Sequence, residues 1–347
     1  MKRISLVVFP LLLFFLMAVV ALPRPADRLD LTVHEWGTFT SVAGADGTAI
    51  PWRTYQGTDD LPAFVHNFGG FKFQIPGLVR METPVLYFYG SHETTADVNV
   101  QFPKGTITEW YPKQTRQWSN SSIEWHNVRV SPGIAPDFPG TPDRSHYYAA
   151  RETDAAPLQV GNEKEKFLFY RGVASFPLPV SAEATEDGRV VMKPVDSDSL
   201  QGVILFENRA GKSRYSFVGD MNHEITIDRR SLQGDKAGLL AELERALVAE
   251  GLYEKEARAM IKTWGDSWFE EGTRLFYIVP KKVIDSVLPL TVQPAPIETT
   301  RVFVGRMEII TPEIQEDVRQ AFASNDRATL EKYGRFLEPI KQRIGVK

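Results

Sequence analysis

From residue 31 to about 180 the pattern is that of strands, some alternating apolar and polar positions with a period of two and others, such as Thr83–Tyr89, continuous apolar runs, and later blocks switch to a helical spacing. A period of two puts successive side chains on opposite faces of a strand, whereas apolar residues at i, i+3, i+4 and i+7 share one helix face. Strands are therefore predicted over Val33–Thr40, Thr83–Tyr89, Val98–Phe102, Thr106–Tyr111, Ser122–Val130 and Phe167–Tyr170. In Ser122–Val130, strict alternation places Ile123, Trp125 and Asn127 on one face. Four prolines and two glycines between 131 and 143 mark a loop.

From 181 to 229 the rhythm is that of hairpins, with turns at Glu186-Asp187-Gly188 and at Asn208-Arg209-Ala210-Gly211-Lys212. Leu239, Leu240, Leu243 and Leu247 then line one helix face and Gly251 follows as its cap. Ala257, Met260, Ile261 and Trp264 give a second helix, making an αα-hairpin. Strands return at Phe276–Val279 and Val302–Ile310. Thr311-Pro312-Glu313 reads as a cap, a first-turn proline and an acid at the positive helix end. A closing helix follows there, and a last one carries Leu330, Leu337, Ile340 and Ile344 on its face.

The pattern predicts a mainly β protein with α additions (α+β). A β-sandwich-like part covers residues 31–180, and a mixed part with an αα-hairpin and two terminal helices covers 181–347. Ahead of both, Lys2 and Arg3 precede an apolar run from Leu6 to Val20. This predicts an export signal over 1–21 with cleavage after Ala21, and a periplasmic or secreted protein. The same run left uncleaved would anchor the chain, and it is the only membrane attachment the sequence predicts.

Composition narrows the chemistry. A net charge of −4, with 40 basic and 44 acidic residues, leaves no basic footprint for nucleic acid. The absence of cysteine removes disulfides, thiolate nucleophiles and zinc–cysteine sites. Three histidines precede glutamates, at His34-Glu35, His92-Glu93 and His223-Glu224, but the second histidine that a zinc-protease helix needs is replaced by Thr38, Ala96 and Ile227. Gly211-Lys212-Ser213 lacks the earlier glycine of a phosphate loop, and neither a nucleophile elbow nor a dinucleotide fingerprint is present.

What remains must be assembled from distant residues. His34, His66 and His92 with Glu93 would supply nitrogen and oxygen ligands for a divalent metal. Aromatic residues of the first third, above all Trp36 beside His34 and Trp118 in its polar setting, suit stacking on a glycan or another flat ligand. Glu82 and the carboxylates Asp266, Glu270 and Glu271, the last three beside Trp264 and Trp268 and close to Arg274, are candidates for acid–base work; the plainer reading is an arginine–glutamate pair fixing a helix end.

The stretches His34–Phe39, Met81–Phe88, Phe167–Gly172 and Trp268–Pro280 together resemble a family of exported bacterial proteins to which no activity is assigned. The resemblance covers most of the chain beyond the signal and implies export, without supplying any catalytic residue. Two functional classes follow: a binding or structural module of the envelope for a glycan or protein partner, and a hydrolase drawing on histidines and carboxylates of the N-terminal strands. Alternation also splits the His34-Glu35-Trp36 triplet, with His34 and Trp36 on one face and Glu35 on the other.

Overall fold

The computed structural model describes residues 30–53, 61–67, 76–116, 119–142, 145–196 and 198–345. The segment 1–21 and Trp118 lie outside the described residues. Among those described, nineteen strands form four sheets, joined by six α-helices. The protein is mainly β with α additions, as its pattern predicts.

The largest sheet has nine strands in the spatial order β15 (Lys212–Met221), β14 (Leu200–Arg209), β17 (Gly272–Ile278), β19 (Glu298–Ile309), β1 (Thr32–Ala43), β5 (Val79–Tyr89), β11 (Leu168–Ala174), β7 (Gly105–Tyr111) and β3 (His66–Asn67). Strands from both sides of residue 180 share it, because β1 pairs in parallel with β19 along its whole length. The boundary read at 180 thus falls inside one sheet. A five-stranded sheet runs β10 (Glu163–Glu165), β9 (Leu158–Val160), β8 (Ser122–Val130), β6 (Thr94–Gln101) and β18 (Leu290–Gln293). Three strands, β12 (Val180–Ala184), β13 (Arg189–Pro194) and β16 (Ile225–Asp228), form a third sheet, and β2 (Trp52–Arg53) pairs with β4 (Pro76–Gly77).

The helices are α1 (Lys236–Ala249), α2 (Glu254–Trp264), α3 (Lys281–Val287), α4 (Pro312–Ser324), α5 (Arg327–Tyr333) and α6 (Leu337–Ile344). No described helix is long and apolar enough to cross a membrane.

Both faces of the large sheet are covered, so every residue of β1 is buried. On one face, Val33, Phe39, Leu86, Phe88 and Tyr170 meet Val98, Val100, Ile123 and Trp125 of the five-stranded sheet. That is the sandwich the first half predicts. On the other face, Trp36, Val85, Tyr87 and Phe276 meet Leu239, Leu243 and Leu247 of α1 and Met260 and Trp264 of α2. A third cluster joins Val42 and Trp52 to Ile314, Val318, Phe336 and Ile340 of the C-terminal helices.

Three local expectations are corrected. In β8 the apolar face changes at Asn127, which is exposed at φ +55°, so Val128 and Val130 rather than Asn127 continue the face of Ile123 and Trp125. A left-handed residue opposite the register shift between Ala96 and Val98 is a bulge, and a bulge flips the alternation. The last helix is broken into α5 and α6 by Gly334, whose φ of +42° no continuous helix accepts. The short elements α3 and β18 follow no period that the pattern predicts.

Candidate functional site

β1 carries His34, Trp36, Thr38 and Thr40 toward the helices and Glu35 toward the sandwich. The separation of Glu35 from its neighbours follows from strand alternation. Glu35, fully buried, accepts from Tyr170 Oη at 2.5 Å and Arg301 Nε at 2.6 Å. On the opposite face His34 Nδ1 donates to Glu256 Oε2 at 2.8 Å, across 222 residues of sequence. Glu256 also accepts from the Tyr89 hydroxyl and the Tyr253 amide, each at 2.8 Å. Burial, then the Glu256 charge, push the Tyr89 phenol far above its usual range. An imidazole held by a carboxylate is the base-and-orienter half of a hydrolytic dyad. His34 Nε2, however, is buried with no partner among the described residues, so no nucleophile is engaged there.

The other predicted metal ligands do not meet His34. His66 is held by Glu163 at 2.9 Å, His92 by Ser91 at 2.6 Å, and Glu93 by Arg129 at 2.8 Å. Among the described residues no three His, Asp or Glu side chains are placed to hold a metal ion, which corrects the proposed set. The aromatic platform is corrected too. Trp36, Trp52, Trp110, Trp125, Trp264 and Trp268 are all buried, so the described tryptophans build the core and offer no surface for stacking.

The carboxylate candidates fare differently from one another. Asp266 faces His146 at 2.9 Å; the hydrogen bond from His146 holds its pKa below the usual carboxylate range. Glu271 accepts from the Ala210 amide and pairs with Lys332 at 2.9 Å. Glu82 and Glu270, in contrast, are brought together by Arg335, whose Nη1 donates to Glu82 at 2.6 Å and Nη2 to Glu270 at 3.3 Å. Burial works against the Arg335 charge, but Glu82 and Glu270 outweigh it and hold its pKa above the ordinary value. A bulge makes this geometry possible. Trp36 pairs with Val85 and Thr38 with Glu82, so β5 has one extra residue at Thr83-Pro84, and Glu82 and Val85 face the same way.

Around that bridge lies a band of buried charge on the helix-facing side of the large sheet. Glu82 also accepts from Thr40 Oγ1 at 3.1 Å and sits 3.3 Å from Arg80. Arg274 Nε donates to Glu308 at 2.9 Å, and its remaining nitrogens take the carbonyls of Trp268, Glu270 and Glu271. Arg274 thus fixes the turn after α2, which is the plainer reading of that stretch, with Glu308 as the unforeseen partner. Gly272 makes room for it: at φ +133°, an added Cβ would lie 2.4 Å from Glu308 Oε1 and 2.7 Å from Arg274 Nη2. Farther along the sheet, Arg171 and Glu109 form a buried bidentate pair at 3.0 and 3.2 Å.

At the centre is Arg306, fully buried. Its Nη2 donates to Glu270 at 2.8 Å and to Glu308 and the Ser267 carbonyl at 3.2 Å. Its Nε and Nη1 have no partner among the described residues. Ser267 Oγ, Trp268 Nε1 and Thr38 Oγ1 are likewise buried without a partner. Register and contacts place these groups together. Arg306 lies across from Phe276 on one side and Thr40 on the other, Thr38 is two residues along the same face, and Trp268 packs on Phe276 at 5.6 Å. Burial, then the charges of Arg274 and Arg335, push the Arg306 pKa down to about 9. The guanidinium is still charged at neutral pH, and its carboxylate partners do not fully offset its surroundings. Buried polar groups are nearly always satisfied, which makes the unmet donors of Arg306 the feature that sets this band apart.

No family model matches the chain, and no curated protein matches it. Solved structures similar to it include the Fcho1 mu homology domain of Danio rerio with bound Eps15 peptide, at 8% identity and a TM-score of 0.35, covering 81% of this chain and 97% of that one. The yeast delta-COP-I mu-homology domain complexed with a Dsl1 WxWxV peptide is similar at 8% identity and a TM-score of 0.31, covering 81% and 98%. Another structure of the yeast domain gives 8% identity, a TM-score of 0.32 and coverage of 81% and 97%.

Proposed function

We propose that this chain is an exported binding protein that receives a small carboxylate at Arg306. Export rests on the charged start and apolar run of residues 2–20 and on the resemblance of the mature segments. The observation that carries the binding reading is Arg306 itself, a fully buried guanidinium with two nitrogens unmet. A carboxylate fits better than a phosphate dianion. Glu82, Glu270 and Glu308 already stand beside Arg274, Arg306 and Arg335, so each further negative charge adds repulsion inside the band and a dianion meets more of it than a monoanion. A planar carboxylate also matches the Nε–Nη1 edge of a guanidinium in bidentate fashion.

The carboxylates of the band are held by arginines, which suits them to fixing donors in place and not to proton transfer. Binding is therefore favoured over hydrolysis. The test is a thermal titration of the purified protein with acetate, benzoate and inorganic phosphate. The carboxylates should raise the melting temperature in a saturable way and phosphate should not. Arg306→Gln should abolish the effect, and Trp268→Phe, which removes the indole N–H together with part of the ring, should weaken it. Equal shifts by phosphate, or shifts unchanged in both variants, would refute the proposal.

A further inference from the structure

A second site lies on the opposite face of the large sheet, independent of Arg306. Arg301 of β19 stands across from Glu35 and donates through Nε to it. Its Nη1 donates to Asp285 of α3 at 3.0 Å. The side chain is only 3% exposed, yet Nη2 has no partner among the described residues. The hydrogen bonds of Glu35 go to Tyr170 and to Arg301 Nε, and none reaches Nη2.

Arg301 forms part of the wall of a groove of about 550 Å³ between α3, β18 and the start of β19. That volume is within the range of small-molecule sites. The walls are of two kinds. Leu290, Val292 and Pro296 make an apolar side, and Lys281, Asp285 and Arg301 make a charged one. Lys281 is exposed at the mouth and pairs with Asp285 at 2.5 Å, so its ammonium is close to the groove and free to exchange partners with solvent. Burial opposes the Arg301 charge, but Glu35 and the Tyr170 hydroxyl oxygen outweigh it, and the guanidinium is held charged.

The requirement of Nη2 is for one acceptor oxygen. Glu35 and Asp285 are already negative beside it, which disfavours a dianion, and the apolar wall favours a hydrocarbon attached to the acceptor. We propose that this groove binds a short-chain monocarboxylic acid. One carboxylate oxygen accepts from Arg301 Nη2, the other meets Lys281, and the chain lies on Leu290, Val292 and Pro296.

Hexanoate is the probe, with hexanol as the uncharged control, followed by protein NMR on the whole protein. Hexanoate should shift resonances of α3 and β18 and hexanol should bind much more weakly. Lys281→Gln should weaken hexanoate by about tenfold, the scale of one charge-assisted hydrogen bond. Arg301 also holds Glu35, so its replacement risks the fold; Ala295→Trp, at an exposed position lining the groove, fills it instead and should abolish binding. Hexanoate shifts that survive Ala295→Trp, hexanol binding as tight as hexanoate, or no shifts at all would each overturn the proposal. Retention of these shifts in Arg306→Gln would confirm that the two sites are separate.

Discussion

At the scale of single residues, the carboxylates of the arginine band should differ sharply from those on the surface. Glu82 is fully buried and holds Thr40, Arg80 and Arg335. Removing one partner of a buried pair leaves the other charge uncompensated, at a cost of about 3–5 kcal/mol. Glu82→Gln should lower unfolding free energy on that scale in denaturant titrations. Glu93→Gln, which breaks an exposed pair with Arg129, should change it by less than about 1 kcal/mol. Two comparable losses would mean that the buried band contributes nothing particular to stability. His126 supplies a titration with a definite sign. Hydrogen bonds to Asp97 and then Glu124 raise its pKa above the ordinary value near 6.5. Its stabilisation is therefore fully present below that value and is lost as pH rises through the higher folded-state pKa. The melting-temperature advantage of the wild type over His126→Gln should shrink on going from pH 6 to pH 9. An advantage that stays constant would contradict the assignment.

At the scale of elements, local signals were legible where a segment's period or cap is self-contained. The hairpin β14–β15 turns at Ala210-Gly211, both at positive φ, where the sequence placed it. The Thr311 cap is present, its hydroxyl accepting from the Ile314 amide at 3.3 Å, with Pro312 in the first turn. Thr311→Ala should cost about 1 kcal/mol in the same denaturant assay, and Thr311→Ser should recover most of it. If Ser fails to recover it, the loss comes from the buried methyl and not from the cap. Elements without an internal period were not legible. α3 has seven residues and β18 four, too short for either period to show, and both are set by packing on β19 and β6. The bulges at Thr83-Pro84 and Asn127 are set by register with a partner strand, which a single segment does not encode.

At the scale of the whole molecule, the candidate site is made of contacts that no local reading reaches. His34 meets Glu256 across 222 residues, Glu35 meets Arg301 across 266, and Glu82 meets Arg335 across 253. Glu82 and Glu270 stand out in the sequence as acids in apolar surroundings, but Arg306 and Arg335 stand out for nothing, since an arginine in an alternating strand or a polar turn reads as solvent-facing. The clue was indirect: β1 and β19 set charged residues among large apolar ones, and once their parallel pairing closes both faces of the sheet, those charges must find partners inside. The expected division into two parts fails to capture this, because the band takes Glu82 from one side of residue 180 and Glu270, Arg306, Glu308 and Arg335 from the other. We propose that this band encloses the place of a carboxylate. A crystal structure grown with benzoate, at a resolution that separates its atoms from water, tests it most directly. Planar density within hydrogen-bonding distance of Arg306 Nε and Nη1 is the expected result, and a dry Arg306, or isolated waters unchanged by benzoate, would contradict it.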